Sequence, residues 1–196
     1  TGGCSARRSG PGRYPGRSFV SPEYQKSYAP LLLLWKGIGR FINDNPRYRT
    51  LFGPVSISNE YHWLSRQIMI SFLEERRSRP DLAELVTPTN PVRIRRDGRL
   101  DRSALHNALA DEASVTEIVA DIESDGKGLP VLLKQYLKLG GTVVAFNVDA
   151  AFANALDGLI IVDLLRTERK VLERYLGKDG AASYLGHHQT RVEGAA

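Results

Sequence analysis

The chain has 196 residues, with 27 Lys and Arg against 22 Asp and Glu, a formal net charge of +5 and a pI near 9.4. At 42% apolar and 25% charged it has the composition of a globular chain, which excludes wholesale disorder, and its length suits one domain. Its densest apolar run, Leu31 to Trp35, is closed by Lys36, far short of the ~20 residues of a membrane span, and the single Cys4 excludes a disulfide framework or a multi-cysteine zinc site.

Residues 1–16 are rich in Gly, Pro and Arg and lack apolar periodicity, which predicts a disordered or non-native leader. No apolar h-region opens the chain, and Thr1 in place of Met predicts a fragment or processed product. Arg17-Ser18-Phe19-Val20 reads as a short strand, followed by a polar turn over Glu23 to Ala29. Pro30 suits a first helical residue, and Leu31, Leu34, Trp35, Ile38, Phe41 and Ile42 form one buried helical face. Asn43 to Pro46 ends that helix. Leu51 to Ser58 reads as a strand with Pro54 at an edge or bulge, and Trp63, Ile68, Ile70, Phe72 and Leu73 belong to a second helix ending near Arg77. Residues 79–103 form an Arg- and Pro-rich excursion with a short helix at Asp81 to Val86.

Ser114 to Ile122 is predicted as a helix with Ser114 as N-cap, followed by a turn at Asp125-Gly126-Lys127-Gly128. Pro130 opens a helix through Leu139, ended by Gly140-Gly141. Two strands, Thr142 to Val148 and Gly158 to Leu164, precede a terminal helix carrying Leu172, Tyr175 and Leu176, and residues 187–196 read as frayed. The order of elements predicts an α/β or α+β domain over residues 17–186.

Charge is uneven along the chain. Residues 1–50 carry nine basic and two acidic side chains, whereas residues 104–196 carry nine and thirteen. A basic front half suits an anionic partner; a merely solvated basic face is the plain alternative. The turn before Pro30 is one place for such an anion, because free N–H groups at a helix start, with Lys26 and Ser27 beside them, suit phosphate oxygens; a simple connection would read the same way. His106 and Asp111 match an H-x-x-x-x-D acid–base pair, but no matching acceptor block follows. Gly37-Ile38-Gly39 lies inside a helix, so close packing of that helix on the sheet explains it better than dinucleotide binding. His187-His188 is read as inert, with no metal site expected. The Arg93, Arg95, Arg96, Arg99 and Arg102 cluster is read as a solvated loop, and no nucleic-acid partner is expected.

G-R-S-F-V-x-P-E-Y-Q, L-L-L-L-W-K-G-I-G-R-F and F-G-P-V-S-I-S-N-E-Y, with the later G-K-G-L-P-V-L-L-K-Q-Y-L-K-L-G-G and F-N-V-D-A-A-F, resemble the GNAT-fold hemolysin family, which includes the ornithine-lipid N-acyltransferases. The resemblance covers residues 16–185. It implies a mixed central sheet with helices on both faces, and an enzyme that moves a long-chain acyl group, 3-hydroxy acyl included, from acyl carrier protein or coenzyme A to an amine such as ornithine. Attack is direct, with no covalent enzyme intermediate and no permanently bound cofactor. An O-acyltransferase acting on lysophospholipid and a non-catalytic membrane- or carrier-binding remnant are the alternatives. The implied location is the cytoplasm, with peripheral contact at the inner membrane surface.

In such a fold the strand ending near Val20 is central, and the turn after it, usually Q/R-x-x-G-x-G/A, holds the donor's phosphate. The donor-binding residues implied are Arg17, Phe19, Val20, Gln25, Lys26, Ser27, Tyr28 and Ala29. Tyr28 and Pro30 replace small residues of the pattern, which favours the single phosphate of acyl carrier protein over the coenzyme A pyrophosphate. Tyr14 replaces an acidic residue, and the elements that precede the central strand are missing, so an N-terminally truncated member is expected. Beside the donor cleft, Glu60 is the candidate base for the attacking amine and Tyr61 the candidate acid for the leaving thiolate. A helix-entry turn with Ser58 or Asn59 as cap is the plain alternative.

Overall fold

The apolar residues after Pro30 wind into α1, Ala29–Asp44, which buries Trp35, Gly39 and Ile42 along one face. The computed structural model describes residues 5–6, 12–13, 22–24, 29–92 and 109–193. The predicted strand Arg17–Val20 and the turn residues Gln25–Tyr28 lie outside these. Pro22–Tyr24 forms a single 3-10 turn. Strand β3, Thr50–Ile57, alternates buried and less buried side chains as a half-covered strand does. Helix α2, Trp63–Arg76, follows, then the short α3, Pro80–Ala83, and the two-residue strand β4, Val86–Thr87. Trp63 belongs to α2 as expected; it is its first residue, precedes the buried stripe that starts at Ser65, and is 50% exposed.

The leader is not devoid of regular structure. Ser5–Ala6 (β1) pairs antiparallel with β4, and Gly12–Arg13 (β2) pairs parallel with Thr50–Leu51 of β3. Each takes its strand form from a partner's backbone groups rather than from any apolar pattern of its own, so periodicity does not reveal it.

Helix α4, Glu112–Ile122, is capped by Asp111, whose side chain accepts the Ser114 N–H at 2.8 Å. The expected cap, Ser114, instead donates its hydroxyl to Asp111 at 3.0 Å. A carboxylate suits the positive end of the helix better than a hydroxyl, which moves the start two residues back. Helix α5, Val131–Lys138, leads into β5, Thr142–Asp149, and the hairpin partner β6, Ala155–Asp163. Val143 faces Ile160 and Ala145 faces Leu159, so Val144 is an extra, bulged residue. The terminal helix is two helices: α6, Arg169–Leu176, and α7, Lys178–Glu193. Gly177 between them has φ +79°, a left-handed conformation that breaks the first helix. Residues 187–193, predicted as frayed, are therefore the last turns of α7.

The main sheet has the order β2-β3-β6-β5 and is mixed, with β2 parallel to β3 and β5 antiparallel to β6. This mixed α/β architecture is consistent with a GNAT-like acyltransferase fold. The chain packs as two compact units: Thr1–Arg8, Pro54–Leu137 and Gly141–Ile161 form one; Ser9–Gly53, Lys138–Gly140 and Val162–Ala196 form the other. In the first, Phe72, Leu73, Leu109, Val119, Leu156 and Ile160 are buried. There β5 is the sheet edge, and its ends are clipped: Val143 N–H donates to Arg77 O at 2.6 Å and Val148 N–H to Asn90 O at 2.8 Å. Such cover blunts an edge that would otherwise pair with another chain.

In the second unit Trp35 and Tyr175 pack with ring centroids 5.7 Å apart. A Cβ at Gly39 would collide with the Tyr175 carbonyl, so this glycine lets α1 approach another helix, not the sheet as expected; Gly37 faces open space.

Candidate functional site

Strand β3 delivers the chain to a turn, Ser58-Asn59-Glu60-Tyr61, at the threshold of α2. The Ser58 hydroxyl accepts the Glu60 N–H at 3.2 Å, and the Ser58 carbonyl accepts the Tyr61 N–H at 3.3 Å. Ser58 thus shapes the turn and does not cap the helix. The cap is His62, whose Nδ1 accepts the Leu64 N–H at 3.3 Å. Asn59 is not the cap either: its side-chain amide donates to the Ala153 carbonyl at 2.5 Å, tying the turn to the β5–β6 connection. That connection holds Ala153 and Asn154 at φ 50° and 53°, a left-handed backbone that non-glycine residues seldom adopt, and presents Phe152 to solvent.

The two candidate reacting groups thus share one turn but differ in surroundings. Glu60 is exposed. Tyr61 is half-buried, donates its hydroxyl to the Gly128 carbonyl at 2.8 Å, and has the Lys127 ammonium 4.7 Å from its ring centroid. Burial, then the negative charges of Glu123 and Asp125, push its phenol above the ordinary tyrosine range. It therefore holds its proton at neutral pH, and that proton is engaged by Gly128.

One acidic residue at this site escapes sequence reasoning. Glu123 follows the last residue of α4 and is buried. Its Oε1 accepts the His62 N–H at 2.8 Å, and its Oε2 lies 3.7 Å from the Lys127 ammonium, which is also 3.3 Å from Asp125. Burial works against its ionisation. The Ser65 hydroxyl, the His62 N–H and Lys127 together outweigh it, so the carboxyl sits below its usual range. The only sequence sign of this cluster is the spacing of four between Glu123 and Lys127 across the glycine turn.

Of the expected donor-binding residues, Arg17, Phe19, Val20, Gln25, Lys26, Ser27 and Tyr28 lie outside the described residues. Ala29 opens α1 and is exposed. His106 and the Arg93–Arg102 cluster also lie outside, and Asp111 is a helix cap. His187 and His188 sit in α7 with rings 5.3 Å apart, and His188 Nε2 is 2.8 Å from the Pro46 carbonyl, a packing role. Among the described residues no group of three or more His, Cys, Asp or Glu could hold a metal ion, and no helix is long and apolar enough to cross a membrane.

No protein-family model and no solved structure matches the chain. Two curated proteins do, both named glycine N(alpha)-acyltransferase. That of Phocaeicola vulgatus is 27% identical over 139 residues, covering 67% of this chain and 41% of its own length. That of Bacteroides thetaiotaomicron is 27% identical over 167 residues, covering 80% and 48%. The chain thus spans less than half the length of these relatives. Both names describe transfer of an acyl group to the amino group of glycine.

Proposed function

We propose that this chain is part of an N-acyltransferase that moves a long-chain acyl group from a carrier-protein or coenzyme A thioester to an amino group. Glycine, named for both relatives, and ornithine, implied by the motif resemblance, are the acceptors of choice. The observation that carries the reading is the similarity to two N-acyltransferases across 67% and 80% of the chain. The exposed carboxylate of Glu60, on a turn at the end of a sheet strand and beside a protonated phenol, supports it.

In this reading the amine nitrogen attacks the thioester carbonyl, forming the C–N bond and a tetrahedral intermediate. Glu60, directly or through water, takes the proton that the nitrogen loses. Collapse breaks the C–S bond, and the departing thiolate takes a proton from Tyr61, which must first release the Gly128 carbonyl. Arg17, Phe19, Val20 and the Gln25–Ala29 turn hold the donor's phosphate and arm. The exposed Trp63, just after the turn, and Phe152, on the connection that Asn59 ties to it, offer apolar surface to a long acyl chain or to a peripheral membrane contact.

The test is incubation of the chain with a long-chain acyl-carrier-protein or acyl-CoA donor and, separately, glycine, ornithine or lysophosphatidic acid, with thiol release and product mass measured. An N-acyl amino acid with either donor is the expected product. Acylation of the lysolipid alone would replace this reading with O-acyl transfer, and donor binding without any product would leave a carrier-binding module.

A further inference from the structure

Glu123 occupies an unfavourable place for a carboxylate. It stands at the negative end of its own helix, α4, and its side chain is only 5% exposed. Both facts oppose an anion there. The carboxylate is sustained by a different helix: it points at the start of α2, where the His62 N–H and the dipole of that helix receive it. Lys127 supplies the countercharge from the same loop. A neutral side chain would close this turn without burying a charge, so the arrangement calls for a reason beyond packing.

The reason lies one residue away. His62 directly follows Tyr61 and is two residues after Glu60. The short segment 58–62 is gripped at three points: Asn59 by the Ala153 carbonyl, Tyr61 by the Gly128 carbonyl, and His62 by Glu123. Two of these three grips come from the loop 123–128. Glu60, in the middle, is exposed, as are Ser58, Asn59 and His62, and none of the three grips falls on its side chain.

We propose that Glu123 is a positioning residue for acyl transfer: by accepting the His62 N–H it fixes the turn that carries Glu60, and Lys127 holds Glu123 in that pose. This rests on the reading of Glu60 as the base. A carboxylate held in place by backbone at both flanks keeps its approach to the attacking nitrogen, whereas a loosened turn spreads it over many poses.

The test compares Glu123→Ala, Glu123→Gln and Glu123→Asp in the full chain, with kcat and KM for acyl transfer and amide hydrogen exchange at residues 60–65. Glu123→Ala should lower kcat about 10- to 100-fold, change KM less than about threefold, and speed exchange at these residues above all others. Glu123→Gln keeps an acceptor oxygen for His62 and should recover most of the rate. Should the alanine variant fail to fold, Glu123→Asp, one methylene too short to reach, takes its place with the same expected losses. A folded Glu123→Ala or Glu123→Asp variant with unchanged exchange at 60–65 would overturn the proposal, as would faster exchange with unchanged kcat. Absence of any acyl transfer by the unaltered chain would instead overturn the functional reading, while the exchange data would still decide whether Glu123 fixes the turn.

Discussion

Glu60 and Tyr61 are neighbours in sequence held in opposite conditions, and their substitutions separate accordingly. Glu60 is exposed, so Glu60→Gln should leave thermal stability nearly unchanged while lowering kcat about 10²- to 10⁴-fold, the usual worth of a general base. Thiol release with a saturating donor measures it. Tyr61→Phe removes both a proton source and the Gly128 hydrogen bond, so it should lower activity and stability together. The phenol's folded pKa is raised, by burial first and by Glu123 and Asp125 next. The stability it contributes is therefore complete below the ordinary tyrosine pKa of about 10 and is lost as pH rises through the higher folded value. Unfolding temperatures measured upward from pH 9 should fall in the parent chain and show less of that fall in Tyr61→Phe. The turn that carries both residues was legible because a strand ending at a polar tetrad before a helix is a local pattern. It could not show Glu123, since a carboxylate at a helix end looks solvated until its partner, 61 residues away, is known.

At the scale of elements, two glycines in α1 make opposite predictions. Both sit in a helix interior, where glycine costs about 1 kcal/mol relative to alanine. Gly37→Ala meets nothing within 4 Å and should stabilise the chain by about that amount. Gly39→Ala drives a methyl group into the Tyr175 backbone, which cannot move aside as a side chain can, and should destabilise it by about 1–3 kcal/mol. Urea unfolding of the two variants compares the signs directly. A second element-scale contact joins the chain ahead of β3 to the end of β6: the Arg49 guanidinium donates to both Asp163 oxygens, at 2.8 and 2.5 Å. Burial opposes ionisation of Asp163, but Arg49 and the Leu165 N–H prevail and lower its pKa. A carboxyl with a depressed folded pKa contributes stability that is present above its unfolded value of about 3.9 and is lost as pH falls through the folded one. Asp163→Asn should therefore lower stability at pH 7 and flatten the decline seen below about pH 4. The long helices and strands were legible because their apolar residues recur with the right period. The two-residue strands of the leader, the break at Gly177 and the cap at Asp111 were not, because each depends on a partner or on one backbone angle.

For the whole molecule, the most informative property is the run of charge along the chain, from nine basic and two acidic residues in 1–50 to nine and thirteen in 104–196. If the donor is carried by an acidic acyl carrier protein, as proposed, its attraction to the basic front should weaken with salt as the screening length contracts to about 10 Å at 0.1 M. Lys26 lies in the turn that the motif resemblance assigns to the donor's phosphate, just ahead of the start of α1. Lys178 opens α7, is exposed, and belongs to the acidic back half. Charge reversal at either position changes the net charge by the same amount, so the pair separates a local phosphate site from a bulk effect. Lys26→Glu should raise the KM for an acyl-carrier donor roughly 5- to 150-fold, the range of one to three charge-assisted hydrogen bonds, and Lys178→Glu should raise it little. Because Lys26 would face the phosphate itself, its effect should persist at high salt, where long-range attraction is screened out. Equal effects of the two reversals, both vanishing in salt, would mean that the carrier is drawn by net charge and that the turn before α1 only connects two elements.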